Sequence, residues 1–158
     1  MRVWRIERAK HVDEALSGVG ARLYGGRWNT EGTPLVYTSS SLSLAAFERF
    51  VHAPRQEKNE LFYAVAFDIP FDASDLSMPS PLPNNWRSPS PSLESQRWGD
   101  ALVGEGGVAA AVPSVLIPLD LFNPLQEFNV LLNPESPLIK SLKVAARLPY
   151  AFDLRAWK

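Results

Sequence analysis

The chain has 158 residues, 46% hydrophobic and 21% charged, with 16 basic and 17 acidic side chains and a formal net charge of −1. That is the size and make-up of one globular domain, residues 1–158, with a sizeable core, and the even mixture of charge leaves no broad basic surface for direct nucleic-acid binding. The absence of cysteine excludes disulfides and a thiolate nucleophile, and the two histidines, His11 and His52, are too far apart in sequence for a zinc motif, so no metal is expected.

Met1 to Glu7 has no apolar signal core, and no stretch approaches the ~20 apolar residues that cross a bilayer. The sequence therefore predicts a cytoplasmic protein with no membrane partner. Val3–Ile6 reads as a short strand, and the polar stretch after it holds one brief helix around Val12–Leu16. Five of the nine glycines then fall between Gly18 and Gly32, which predicts turns with positive φ or close backbone approach. Leu35–Thr38 reads as a strand. Ser39, Ser40 and Ser41 offer N-caps for a helix over Leu42–Val51, with Pro54 just past its end.

On that helix Leu44, Phe47, Glu48 and Val51 follow the spacing of one face, so Glu48 interrupts an apolar stripe. Leu61–Phe67 is apolar on both alternating sets, as in a strand buried on two faces in the middle of the core. Met78–Pro91 carries five prolines and is expected to be an irregular surface loop. Leu93–Val103 reads as a helix. Val108–Val112 and Val115–Ile117 read as strands broken by Pro113-Ser114, Asn129–Pro134 as another strand, Pro137–Arg147 as a helix and Leu148–Leu154 as a last strand. No internal repeat is present, and the sum is an α+β domain in which strands outnumber helices.

Three chemistry-bearing side chains stand on successive elements of this order. Arg27 follows the glycine pair Gly25-Gly26, Tyr37 ends a short apolar strand, and Glu48 lies on a largely apolar helix. Each is a place from which a side chain can point into a shared cleft.

The run Gly26-Arg27-Trp28-Asn29, with Gly32, Pro34, Val36-Tyr37-Thr38-Ser39 and Leu44-Ala45-Ala46-Phe47-Glu48, resembles the RES family, named for its arginine, glutamate and serine. Pro113-Ser114 stands where that serine is expected, and Asn129–Pro134 and Phe152–Arg155 continue the pattern in order; Met78–Gly107 carries little of it. The resemblance implies an ADP-ribosyltransferase-like fold, with a mixed β-sheet core and flanking helices. It also implies a bacterial toxin that consumes NAD+ as substrate, either breaking it down or transferring ADP-ribose to a host protein. Its implied partner is an antitoxin with an Xre-like helix-turn-helix region that covers the active site. By the same analogy Arg27, Tyr37, Glu48 and Ser114 are functional positions, with Asn29 and His52 beside them at the NAD site.

The residue types suit that chemistry. Nicotinamide leaves NAD+ as a neutral molecule, so no general acid is needed, and cationic character develops on the ribose as in glycoside hydrolysis. One carboxylate suffices: Glu48 would accept from ribose hydroxyls and stabilise that cation. Arg27 offers a fork of donors for the pyrophosphate or a ribose edge, Tyr37 a ring to stack on nicotinamide, and Ser114 one orienting hydrogen bond. His52, one turn after Glu48, is placed to contact its carboxylate or to help activate an acceptor.

Structural readings stand beside these. Arg27 alone is a solvated turn residue, Tyr37 a core tyrosine with a satisfied hydroxyl, Glu48 a helix acid paired with Arg49 or a distant lysine, and Ser114 a turn residue. Trp28, Trp86, Trp98 and Trp157 read as core or interface filler, His11 as an exposed loop residue, and Arg5 and Arg22 as a positive rim for phosphates or simple surface charge. A ribonuclease toxin and an inert binding module are the functions of other classes; the near-neutral charge counts against the first.

Overall fold

The computed structural model describes residues 1–53, 57, 60–118, 127–153 and 155. Pro54, Leu154 and Trp157, which the sequence reading used, lie outside the described residues. Among the described residues six strands, β1 (Arg2–Arg8), β2 (Val36–Ser39), β3 (Phe62–Asp68), β4 (Ala109–Val112), β5 (Asn129–Leu132) and β6 (Val144–Tyr150), form one sheet in the order β4-β5-β2-β1-β3-β6. Every registered pairing is antiparallel, and a lone parallel bridge joins Ser77 to Ala110. Among the described residues four helices accompany the sheet: α1 (Val19–Tyr24), α2 (Leu42–Val51), α3 (Leu93–Gly104) and α4 (Pro137–Ser141), with 3-10 turns at Ala9–Glu14 and Ala73–Asp75. The fold is α+β. Among the described residues no helix is long and apolar enough to cross a membrane.

Strand alternation divides the side chains between two faces. On one, Val3, Val36, Val65, Phe67, Val130 and Leu132 form the main core, closed by Val12, Leu76 and Ile139. The other face carries two separate clusters. Over β4 and β5, Val112 and Leu131 pack with Trp28, Trp86 and Val103; over β1 and β3, Ile6, Phe62 and Ala64 pack with Ala45 and Ala46 of α2. Strand β2 runs between them, and by alternation its Tyr37 and Ser39 face the gap.

β3 is buried from Phe62 to Phe67 apart from a half-buried Tyr63, and lies between β1 and the edge strand β6. The three serines before α2 divide their work. Ser41 caps the helix, accepting from the Leu44 N–H (3.1 Å), Ser40 accepts from the Phe128 N–H (2.9 Å), and Ser39 donates to the Asn129 carboxamide oxygen (2.7 Å).

Several expected elements change. Val115–Ile117 is a turn, not a strand. The helix expected over Pro137–Arg147 stops at Ser141, because Leu142 is extended and Val144–Arg147 pairs with Phe67–Val65 of β3. The last strand accordingly runs over Val144–Tyr150 rather than Leu148–Leu154. The helix expected at Val12–Leu16 is a 3-10 turn over Ala9–Glu14. An additional helix, α1, fills the glycine-rich region, where Gly25 at φ 64° ends it in a conformation costly for any residue with a Cβ.

On α2 the buried positions are Leu44, Ala45 and Ala46, whereas Phe47 and Val51 are half exposed. The small alanines let the helix lie close against Ile6, Phe62 and Ala64. This turns the stripe Ala45, Glu48, Arg49 and His52 towards the gap, in place of the expected Leu44, Phe47, Glu48 and Val51.

Candidate active site

β1 and β2 share a single registered pair, Trp4 with Ser39, whereas β2 and β5 share four. Beside that pair the Tyr37 carbonyl accepts from Arg5 Nη1 (3.0 Å), and Glu7 steadies the Arg5 guanidinium at 2.7 Å. A cleft of about 860 Å³ lies along this seam, within the size range of small-molecule sites. Arg27, Tyr37 and Glu48, from three different elements, all line it.

Arg27 comes from the turn that follows α1. Gly26 and Asn29 close this turn through the Gly26 N–H to Asn29 carbonyl bond (2.9 Å), and helix α3 clamps it from outside. Gln96 Nε2 donates to the carbonyls of Gly26 (3.1 Å) and Asn29 (3.2 Å), while Asp100 accepts from the Thr30 N–H (3.0 Å) and hydroxyl (2.8 Å). Trp28, 2% exposed, anchors the turn between Trp86 and Trp98, with ring centroids 6.4 and 5.7 Å away. Trp28 and Trp86 are core, as expected, and Trp98 packs partly buried against them.

The Arg27 Nη1 donates to the carbonyl of Trp86 and to that of Ser88 (2.9 Å), both in the proline-rich loop. That loop is therefore part of the site, and its Pro89 and Pro91 line the cleft. Burial pulls the Arg27 guanidinium below its ordinary pKa, and the Glu48 carboxylate acts in the opposite direction. The half-buried cation thus faces the acid across the cleft, which suits it to a ligand carrying negative charge.

Tyr37 presents its ring to the cleft but not a free hydroxyl. The phenol donates to Asn29 Oδ1 (2.7 Å) and accepts from the Trp28 N–H (3.0 Å). Burial pushes its pKa up, and the hydrogen bond from Trp28 opposes this without cancelling it. A phenol held in this way is a brace and a surface for stacking, unsuited to passing protons near neutral pH.

Glu48 is half-buried on α2, with Oε1 accepting from Asn129 Nδ2 at 2.5 Å. Asn129 in turn accepts from Ser39. Asn129 lines the cleft and was not singled out by sequence reasoning, although it begins the recognisable run Asn129–Pro134. Its importance depends on the register that sets it opposite Ser39, a long-range pairing the sequence does not display.

The remaining expected site residues divide. His52 lines the cleft but is exposed at the end of α2; its backbone N–H reaches the Glu48 carbonyl (3.4 Å), while the carboxylate is held by Asn129. Asn29 is fully buried and does not line the cleft; its Nδ2 donates to the carbonyls of Ala21, Thr30 and Thr33 (2.8–3.0 Å). Ser114, 2% exposed, also stands outside the lining, and its hydroxyl accepts from the Leu116 N–H (3.0 Å), while its neighbours Pro113 and Val115 reach the cleft.

The RES domain family model matches residues 2–153. The chain belongs to the RES domain family. This RES domain is 35% identical to a protein named Toxin Res from Photorhabdus laumondii, over 100% of its own length and 98% of the relative's. It is 32% identical to a protein named Prs ADP-ribosylating toxin from Sphingobium, over 96% and 94%. Its fold is similar to that of a chain in the crystal structure of the M. tuberculosis MbcT-MbcA toxin-antitoxin complex, with a TM-score of 0.71 at 19% identity, covering 95% of the RES domain and 84% of that chain.

Proposed function

We propose that this RES domain is the NAD+-consuming toxin of a toxin–antitoxin pair, acting in the cytoplasm by cleaving the bond between nicotinamide and ribose. The observation that carries the reading is the meeting of Arg27, Tyr37 and Glu48 in one cleft, with the acid held from behind by Asn129. When the C–N bond breaks, its electron pair passes to the nicotinamide nitrogen, which becomes neutral, and an oxocarbenium ion is left on the ribose. Glu48 stabilises that cation and accepts from a ribose hydroxyl, interactions that strengthen towards the transition state and so raise the rate. Arg27 binds the pyrophosphate or a ribose edge with the donors that the loop carbonyls do not occupy. The Tyr37 ring supports the nicotinamide, and His52 stands at the rim on the side of Glu48, where an acceptor would enter.

The acceptor is water, phosphate or a protein side chain. A relative named as an ADP-ribosylating toxin favours transfer to a host protein as the second reading. Purified chain incubated with NAD+ should release nicotinamide. Release by the chain alone makes it a hydrolase or phosphorolase, whereas release that requires an added protein, and leaves that protein heavier, makes it a transferase. No release in either case rejects the proposal.

The antitoxin reading draws on the cleft's edge. Leu23 and Tyr24 of α1 line it at 55% and 80% exposure. Such an apolar rim suits coverage by a protein, here an antitoxin with an Xre-like region. Purification of the chain from its native cells should give a stable complex with an antitoxin in which nicotinamide release is suppressed.

A further inference from the structure

We infer that Asn129 and Ser39 form a positioning relay for Glu48, so that the orientation of the acid is set by the sheet rather than by its own helix. The inference rests on the NAD+-cleavage reading above and assigns it a further residue pair. Ser39 and Asn129 are registered partners on β2 and β5, which places their side chains side by side on the face beneath the cleft. On the far side of Asn129 the registered partner is Val112, which has no polar side-chain atom. The carboxamide thus has one polar neighbour in the sheet, the Ser39 hydroxyl, 3% exposed and donating to Oδ1 at 2.7 Å. With Oδ1 so fixed, the amide must turn Nδ2 towards α2, where it meets Glu48 Oε1 at 2.5 Å. A reversed amide would set its oxygen against the carboxylate and leave the buried hydroxyl facing an NH2 group.

The consequence is geometric. A glutamate on an exposed helix face samples many rotamers, each of which moves the carboxylate by ångströms, and catalysis that depends on a charge near one carbon atom loses rate with every misplacement. Anchoring Oε1 leaves Oε2 as the oxygen turned to the substrate. Asn129 is therefore a positioning residue: it acts through Glu48 and contributes little to substrate affinity.

Nicotinamide release by the wild-type chain, Asn129→Ala, Asn129→Asp, Ser39→Ala, Glu48→Ala and the double variant Glu48→Ala/Asn129→Ala tests this, with thermal unfolding of each as the check on folding. Asn129→Ala should lower kcat by about 10- to 100-fold, the range of a hydrogen bond to a charged group, with KM within about twofold. Ser39→Ala should lower it less, by about 3- to 10-fold. Asn129→Asp keeps the shape, guards against misfolding of the alanine variant, and sets carboxylate against carboxylate; it should be at least as impaired. In the Glu48→Ala background the Asn129 change should cost no further activity, whereas a merely structural role would lower both backgrounds by the same factor. Wild-type kcat in Asn129→Asp, or equal losses in both backgrounds, overturns the inference while leaving the NAD+ reading intact. Absence of nicotinamide release from the wild-type chain, with any acceptor, overturns both.

Discussion

A methyl group on Gly26 would stand 2.5 Å from the Tyr37 hydroxyl oxygen and 2.8 Å from Asn29 Oδ1. Those two atoms form the hydrogen bond that fixes the turn carrying Arg27, so the turn and the strand fit together only because nothing projects from Gly26. Gly26→Ala should destabilise the fold by about 1–3 kcal/mol, the usual range for overpacking a tight site, and should raise KM for NAD+ because Arg27 moves with the turn. Thermal unfolding and steady-state kinetics check both, and an unchanged melting temperature would contradict the contact.

Glu48→Gln keeps the side chain's volume and removes its charge. The glutamine still presents an oxygen to Asn129 Nδ2, so unfolding should shift by less than about 1 kcal/mol, as for a half-buried site with its hydrogen bond kept. Nicotinamide release should fall by about 10²- to 10³-fold, as when one electrostatic stabiliser of a transition state is removed. Retention of more than a tenth of wild-type activity would take Glu48 out of the chemistry.

Local patterns made much of this fold legible. The capping serine, the apolar strand expected over Leu61–Phe67 and found at Phe62–Asp68, and the helix at Leu93 were visible because each is decided by neighbours a few residues apart. What escaped was decided at long range. Strand pairing with β3 takes Val144–Arg147 out of a plausible helix, and burial of Ala45 and Ala46 turns α2 so that its larger apolar residues Phe47 and Val51 face outwards. The same holds at the site. Arg27, Tyr37 and Glu48 belong to short local motifs, and Tyr37 is held by its near neighbours Trp28 and Asn29, but the supports of Arg27, of its turn and of Glu48 come from residues 59 to 81 positions away: Trp86 carbonyl to Arg27, Gln96 to Gly26, Asn129 to Glu48. Gln96, Gly99 and Asp100 share one face of α3, and a Cβ at Gly99 would fall 1.7 Å from the Trp28 carbonyl oxygen, so the helix meets the turn with no room for a side chain. Asn29, expected at the ligand, is fully occupied as internal scaffolding.

Arg27 Nη1 serves two loop carbonyls that flank Arg87 in the chain, at Trp86 and Ser88. A lysine is a point charge that cannot span both and still face the cleft with a second nitrogen. Arg27→Lys should therefore raise KM for NAD+ by about tenfold or more, for loss of about one charge-assisted hydrogen bond, and should loosen the loop. Limited trypsin digestion reads the second effect directly. The bond after Arg87 should be cut faster in Arg27→Lys than in the wild type, and faster still in Arg27→Ala; equal rates in all three would mean that the loop is held without Arg27.

The buried phenol gives the fold an alkaline limit. Burial raises the Tyr37 pKa above its ordinary value of 10.0, the Asp100 carboxylate acts in the same direction, and the Trp28 N–H and the Arg27 cation oppose them. Below pH 10 the phenol is neutral in both folded and unfolded chains, and its contribution to stability is fully present. Above pH 10 the unfolded chain releases the proton while the folded one retains it, so the unfolded state binds fewer protons and stability falls by up to about 1.4 kcal/mol per pH unit. Tyr150, also raised by burial, adds to the slope in the same sense. Tyr37→Phe should be less stable than the wild type at pH 8, having left Asn29 Oδ1 and the Trp28 N–H without their partner, by about 1–3 kcal/mol. Because the variant lacks the titrating group, its stability should decline less steeply above pH 10, and the gap between the two proteins should narrow. Urea unfolding at intervals from pH 8 to pH 11 measures the gap, and parallel curves across that range would show that the Tyr37 hydroxyl is not buried in solution.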